Sequence, residues 1–442
     1  MKNESIEFET LKRNKKRIYF LCGFVCAVIL LIVLITNNSL AKYRIIESIP
    51  LVNGTINYTP YDLKMVAMYQ EENGDYESID IVPTSGYSLN EKKSYCKVNG
   101  EKDESMKLSY DSTTRGLSVT PMTAKGTKCY LYFDEQPILL VDAIKRDNTI
   151  NSGTPDFSSV AITDEGVYKT EDDWGESYYF RGAVNNNWVR FAGYYWRIIR
   201  INGDESIRLI YNGTTTNTTG NDTVIGNSAF NSNNNKSEYV GYMYTSGEQH
   251  GNTTNSPIKT IIDNWYSSNL ASYADKISKE AGFCGDREMA SGYSWSSQPS
   301  STIYYAGYGR LVQNSSSVNP TFKCSNSNDL YTTSTSSKGN KKLSNPIGLI
   351  TVDEVVMAGG AWNSGNSSYY LYNNAAYWTM SPFYFNVGSG GSWAIMFGVR
   401  STGYLDAPDV SNAGGVRPVI NLARDVEITG SGTSSAPYVV VA

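Results

Sequence analysis

An uncharged run of 18 residues, IYFLCGFVCAVILLIVLI at positions 18–35, directly follows the basic cluster KRNKKR at 12–17. At helical rise such a run reaches about 27 Å, close to the hydrocarbon thickness of a bilayer. The positive cluster holds the leader on the cytoplasmic side and sends the rest of the chain outward. The expectation is a cytoplasmic basic tail over 1–17, a single N-terminal transmembrane helix or signal segment over 18–36, and an extracellular body. Ser39-Leu40-Ala41 has the small-residue form of a cleavage site, and cutting after Ala41 makes the body a secreted protein. The apolar run is longer than a usual signal core and its leader carries Glu4, Glu7 and Glu9, which favours an uncleaved anchor.

Cysteine placement agrees with export. Cys22 and Cys26 fall inside the apolar run, and Cys96, Cys129, Cys284 and Cys324 lie beyond it. An even number in an oxidising compartment reads as disulfides, with three pairings open. Pairing each cysteine with its neighbour, Cys96 with Cys129 and Cys284 with Cys324, keeps each bridge inside one expected domain. Each closes a loop of about 35–40 residues, worth roughly 4 kcal/mol in the chain-entropy model. The alternative, a zinc site, lacks any C-x-x-C spacing, and His250 is the only histidine. No metal or other cofactor is expected.

A chain of 442 residues is too long for one ordinary domain. Charged residues are only 18% and tyrosine is over-used at 34 copies, with Asn, Ser, Thr and Gly in place of the charges. That exchange suits a β-rich exported protein with long polar loops. The net charge of −5 leaves no basic stripe for a phosphate backbone, so nucleic acid is excluded as a partner. Short β-type runs such as SIDIVP, GLSVTP and KCYLYF suggest a small β-sandwich spacer over 45–135. A linker is expected over 136–160, then a larger domain over 161–428 and a tail over 429–442.

In the larger domain, GYYWRIIRINGDESIRLIYNG places two apolar strands around Asn202-Gly203, a hairpin signal. Residues 212–256, dominated by Asn, Thr, Ser and Gly, read as a long surface loop. Ser256-Pro257 starts a helix as N-cap and N1, with Ile258, Ile261, Ile262 and Trp265 on one face. The TVDE at Thr351 is a capping box for a second helix, ended by Gly359-Gly360. In SWAIMFGVR, Trp393, Ile395, Phe397 and Val399 alternate onto one face, which leaves Ala394, Met396, Gly398 and Arg400 on the other. Trp378, Trp393 and Phe397 are therefore expected in the core, and Arg417 is expected to anchor the sheet.

The order WRIIRI, amphipathic helix, YWTMSP, SWAIMF, GVRPVINL resembles the formylglycine-generating-enzyme-like branch of the C-type-lectin fold. It is similar to exported proteins of Gram-positive gut bacteria and to retroelement-diversified binding proteins. The resemblance covers about 160–425 and implies a mixed, twisted sheet with two flanking helices and long loops. The expected class is thus α+β: a transmembrane helix, a small β-sandwich and a C-type-lectin-like domain. It further implies a binding face between the tryptophan strand and the VRP strand. The copper chemistry of the branch does not carry over, because no cysteine follows Cys324, and the E-P-N, Q-P-D and W-N-D tripeptides of calcium-dependent sugar binding are absent.

The outward side of 383–412 is rich in Tyr, Ser, Gly and Asn, as paratopes are. Its candidate contact residues are Tyr384, Asn386, Arg400, Tyr404, Asp406, Asp409 and Asn412. The expected function is a membrane-anchored surface protein displaying a recognition domain, its partner a surface protein or a glycan. The alternatives are an exported enzyme, carboxylate-based or sulfatase-modifying-like, and a purely structural envelope protein. Asp353 and Glu354 start a helix, where capping accounts for them.

Overall fold

The computed structural model describes residues 64–72, 75–80, 82–83, 86–111, 116–120 and 128–441. The basic tail, the apolar run at 18–36 and the site after Ala41 lie outside the described residues. The expectation of an α+β chain led by a transmembrane helix is not met. The structure is 38% strand and 12% helix, and among the described residues no helix is long and apolar enough to cross a membrane. Helical spacing of apolar residues persists for only two to four turns here, whereas alternating runs zip into long ladders. The chain divides between Glu135 and Gln136 into two compact units.

The first unit has a six-stranded sheet in which Lys128–Glu135 runs parallel to Lys64–Glu72 and antiparallel to Tyr95–Val98. Along Lys128–Glu135 the side chains alternate, so Cys129, Leu131 and Phe133 enter the core. Cys96 stands directly opposite Cys129 in register, and the two are bonded. A hairpin of Lys107–Asp111 and Gly116–Thr120 packs Leu108, Tyr110, Leu117 and Val119 against that core.

The second unit is built on an eleven-stranded sheet and a six-stranded sheet that share one large core. The apolar strand Tyr194–Ile201 pairs with Ile207–Tyr211, which in turn pairs antiparallel with Val419–Leu422. Residues 136–160 are not a linker. They supply the strand Ile138–Leu139, helix α1 (Leu140–Asp147) and the strand Ile150–Asn151, because Leu140, Val141, Ala143 and Ile144 all find core to enter. Residues 429–442 are not a tail either. Tyr438–Val440 pairs parallel with Trp188–Phe191 and antiparallel with Glu427–Thr429, and Tyr438 is fully buried.

Helix α2 (Pro257–Asn269) begins at Ser256, whose hydroxyl accepts the Lys259 amide. Its buried residues are Ile258, Lys259, Ile262 and Tyr266, so the expected face is rotated. Ile261 is exposed and Trp265 half-buried. Lys259 enters the interior because Asp263, one turn on, neutralises it at 2.5 Å. Helix α3 (Ala306–Leu311) is short, and α4 (Val352–Met357) carries the full capping box between Thr351 and Glu354. The tract 212–256 is ordered by insertion of Val224, Phe230, Val240, Tyr242 and Met243 into the core.

The second disulfide joins Cys284 to Cys324. Peptide mapping without reduction is expected to recover the 96–129 and 284–324 linked peptides from exported protein. A free thiol at any of the four positions would contradict an oxidising compartment.

Candidate recognition site

A single hairpin organises the candidate residues. Tyr377–Gly388 and Gly391–Val399 pair antiparallel through the two-residue turn Ser389-Gly390, and Leu405–Asp406 extends the sheet beyond Val399. The expected half-exposed strand is instead buried on both faces from Ala394 to Val399. Distant loops cover its outer edge: the Ala394 amide donates to Asn234 O at 2.7 Å, and the Met396 amide donates to Pro408 O at 3.1 Å. Recognition by alternate side chains of this strand is therefore closed off, and accessible groups lie beyond its ends.

Of the expected core residues, Trp378 and Phe397 are buried, and Trp378 Nε1 donates to Ser228 O at 2.8 Å. Trp393 is not core: it is half-buried and lies against the turn glycines, because the hairpin tip projects past the covering loops. Arg417 is fully buried and donates to Tyr211 O, Leu371 O and Asn212 Oδ1 at 2.6–2.9 Å. Burial without a carboxylate partner lowers its pKa, and the Tyr377 ring at 5.1 Å offsets part of that cost.

At the open end of the hairpin, Trp378, Gly398 and Asp406 are cross-strand partners in one row. They form part of a groove of about 280 Å³ that Arg400, Ser401, Asn412 and Gly414 also line. A β-carbon at Gly414 would stand 2.7 Å from Trp378 Nε1, so only glycine lets that strand approach the indole. Arg400 Nε meets Asp406 Oδ2 at 2.6 Å, and the arginine is 54% exposed against 25% for the aspartate. The Asp406 hydrogen bond raises the Arg400 pKa further, so this cation is permanent. Its guanidinium lies 5.7 Å from the Tyr404 ring centroid, and the Arg400 amide donates to Tyr404 O at 2.9 Å.

Four candidates thus gather at one place: Arg400, Tyr404, Asp406 and Asn412. Asp409 does not join them. It accepts from Asn234 Nδ2 and the Ser411 amide, both at 2.8 Å, and braces the covering loop. Tyr384 and Asn386 sit toward the turn, opposite Tyr304 and Trp393 respectively.

A second polar feature escaped the sequence reading. Asp173, Arg200, Arg208, Asp286, Arg310, Asp353 and Glu354 surround an enclosed space of about 20 Å³, room for about one water. Glu354 Oε1 meets Arg208 Nε at 2.5 Å and Arg200 Nε at 3.2 Å, while Arg200 also meets Asp172 at 2.5 Å. Arg310 chelates Asp353 at 3.0 and 2.9 Å and reaches Asp286 at 2.5 Å. Capping alone therefore does not account for Asp353 and Glu354, since Asp353 also neutralises the half-buried Arg310 and Glu354 the buried Arg200 and Arg208. The available signal was arginine recurring inside the apolar strand YYWRIIRI.

Comparison with family models, with curated proteins and with solved structures finds no match to this chain.

Proposed function

We propose that the second unit is the recognition head of an exported surface protein, binding a surface protein or glycan in the groove beside Arg400. The observation that carries this reading is the gathering of Arg400, Asp406 and Asn412 at one groove, with the Tyr404 ring against Arg400. Arginine and tyrosine are the side chains that most often dominate binding energy at interfaces. The groove rests on a buried two-stranded platform, which positions its rim without prior ordering of a long loop. Two disulfides support export, since such bonds persist outside the reducing cytosol. The resemblance to diversified binding proteins points to the same region between Trp378 and Arg417.

Binding of the exported chain to intact cells and to arrayed surface glycans tests this. Arg400→Ala and Tyr404→Ala are expected to weaken binding by about 30-fold or more, the effect of a hot spot near 2 kcal/mol. Arg400→Ala should move stability by about half a kcal/mol or less, as exposed substitutions do, and the half-buried Tyr404→Ala by about 1 kcal/mol. Parent-like binding by both variants would sink the proposal.

A further inference from the structure

Near the turn end of the same hairpin, four tyrosines meet, three from regular elements and Tyr293 from a loop. The strand Ile303–Tyr304 pairs with Tyr384 and Phe385, which sets Tyr304 directly opposite Tyr384. The Tyr304 ring centroid lies 5.4 Å from Tyr384, 4.0 Å from Tyr308 on α3 and 5.2 Å from Tyr293. Phe383 roots the cluster in the core, at 4.8 Å from Tyr384 and 5.7 Å from Tyr308. All four tyrosines are half-buried, and none of their hydroxyls has a hydrogen-bond partner among the described residues. Tilted ring-to-ring contacts hold the rings in place, so a ligand meets a rigid surface.

The two segments that carry this patch bear no charge, although Asp406 lies close enough to help raise the Tyr384 pKa. No Asp, Glu, Lys, Arg or His occurs between Met289 and Gly309, nor between Tyr377 and Val399. The loop leading into Tyr304 exposes Ser291, Ser294, Ser296, Gln298 and Ser300. Burial raises the Tyr304 and Tyr384 pKa values, which keeps both phenols neutral at physiological pH. None of the large exposed apolar side chains of the described chain, Ile162, Ile261 and Tyr273, belongs to the patch.

We propose that Tyr293, Tyr304, Tyr308 and Tyr384 form a second binding site, separate from the Arg400 groove, that takes a neutral polysaccharide. A sugar ring offers apolar C–H faces to aromatic rings and hydroxyls to free phenols, the two kinds of group exposed here. An anionic glycan or nucleic acid needs cations, which the two segments lack.

Affinity electrophoresis of the full exported chain through gels containing a neutral glucan, galactomannan or xylan tests the site, with polygalacturonate as the charged control. The parent is expected to be retarded by at least one neutral polymer, and raising the salt should leave that retardation unchanged. Tyr308→Ala and Tyr384→Ala should weaken it by about tenfold or more, whereas Tyr273→Ala, at an exposed tyrosine outside the patch, should leave it intact. Tyr308→Phe keeps the stacked ring and removes only the hydroxyl, so an intermediate loss is expected even if an alanine variant fails to fold. Absence of retardation by every neutral polymer, retardation by polygalacturonate alone, or parent-like behaviour of the folded tyrosine variants would each overturn the assignment. So would capture of a protein partner that the same tyrosine variants lose while no polymer binds.

Discussion

Glu354→Gln is expected to destabilise the second unit by about 3–5 kcal/mol, the usual cost of breaking a buried ion pair from one side. The glutamate is 2% exposed, and one of its oxygens serves two arginines, Arg208 at 2.5 Å and Arg200 at 3.2 Å. Its other oxygen accepts the Thr351 amide at 2.9 Å and completes the cap of α4. Gln keeps that second role with its carbonyl but places a neutral group between two guanidiniums. Arg200 retains Asp172, whereas Arg208 retains only Gly282 O, Leu349 O and the Asn421 amide oxygen. Burial already pulls the Arg208 pKa down to about 10 even with Glu354 beside it to hold it up. Urea unfolding followed through a probe in the second unit reads the change. A loss under about 1 kcal/mol would show that Glu354 is not the counter-charge on which Arg208 depends.

Phe397→Ala should cost a similar amount, about 3–5 kcal/mol. Phe397 is fully buried, with ring centroids of Phe383 at 4.5 Å and Trp362 at 5.9 Å. The facing residue Gly307 on α3 has no side chain to fill a vacated space, so a cavity persists. Trp393→Ala, four residues earlier on the same strand and larger in volume, should cost no more than about 2 kcal/mol, since its half-buried ring already faces water. Thermal unfolding of the two variants side by side decides this. Equal losses would mean that the hairpin tip is as tightly packed as its middle.

These two residues show how far one-dimensional patterning reaches. Alternation put Trp393 and Phe397 on one side of a strand, but only Phe397 is buried, and the residues between them are buried without alternation. Whether that side is covered depends on segments 160 residues upstream, at Asn234, and a dozen downstream, at Pro408. The same distance explains the arginine cluster. Arg200 finds Asp172 28 residues away and Glu354 154 residues away, separations that carry no local signal.

Features held by hydrogen bonds within a few residues were readable from the chain alone. The Thr351 capping box and the Ser256 N-cap both close within four residues. Neighbour pairing of the four outer cysteines also matches the disulfides found, at separations of 33 and 40 residues. Tertiary structure alone decided the rest. It turned the apparent linker and tail into strands of the large sheet, buried Lys259 while exposing Ile261, and parted Tyr384 and Asn386 from Arg400. The physical reason is that a cap or turn is specified by the groups it bonds. Burial and convergence are properties of surfaces, and a surface exists only once distant segments have packed together.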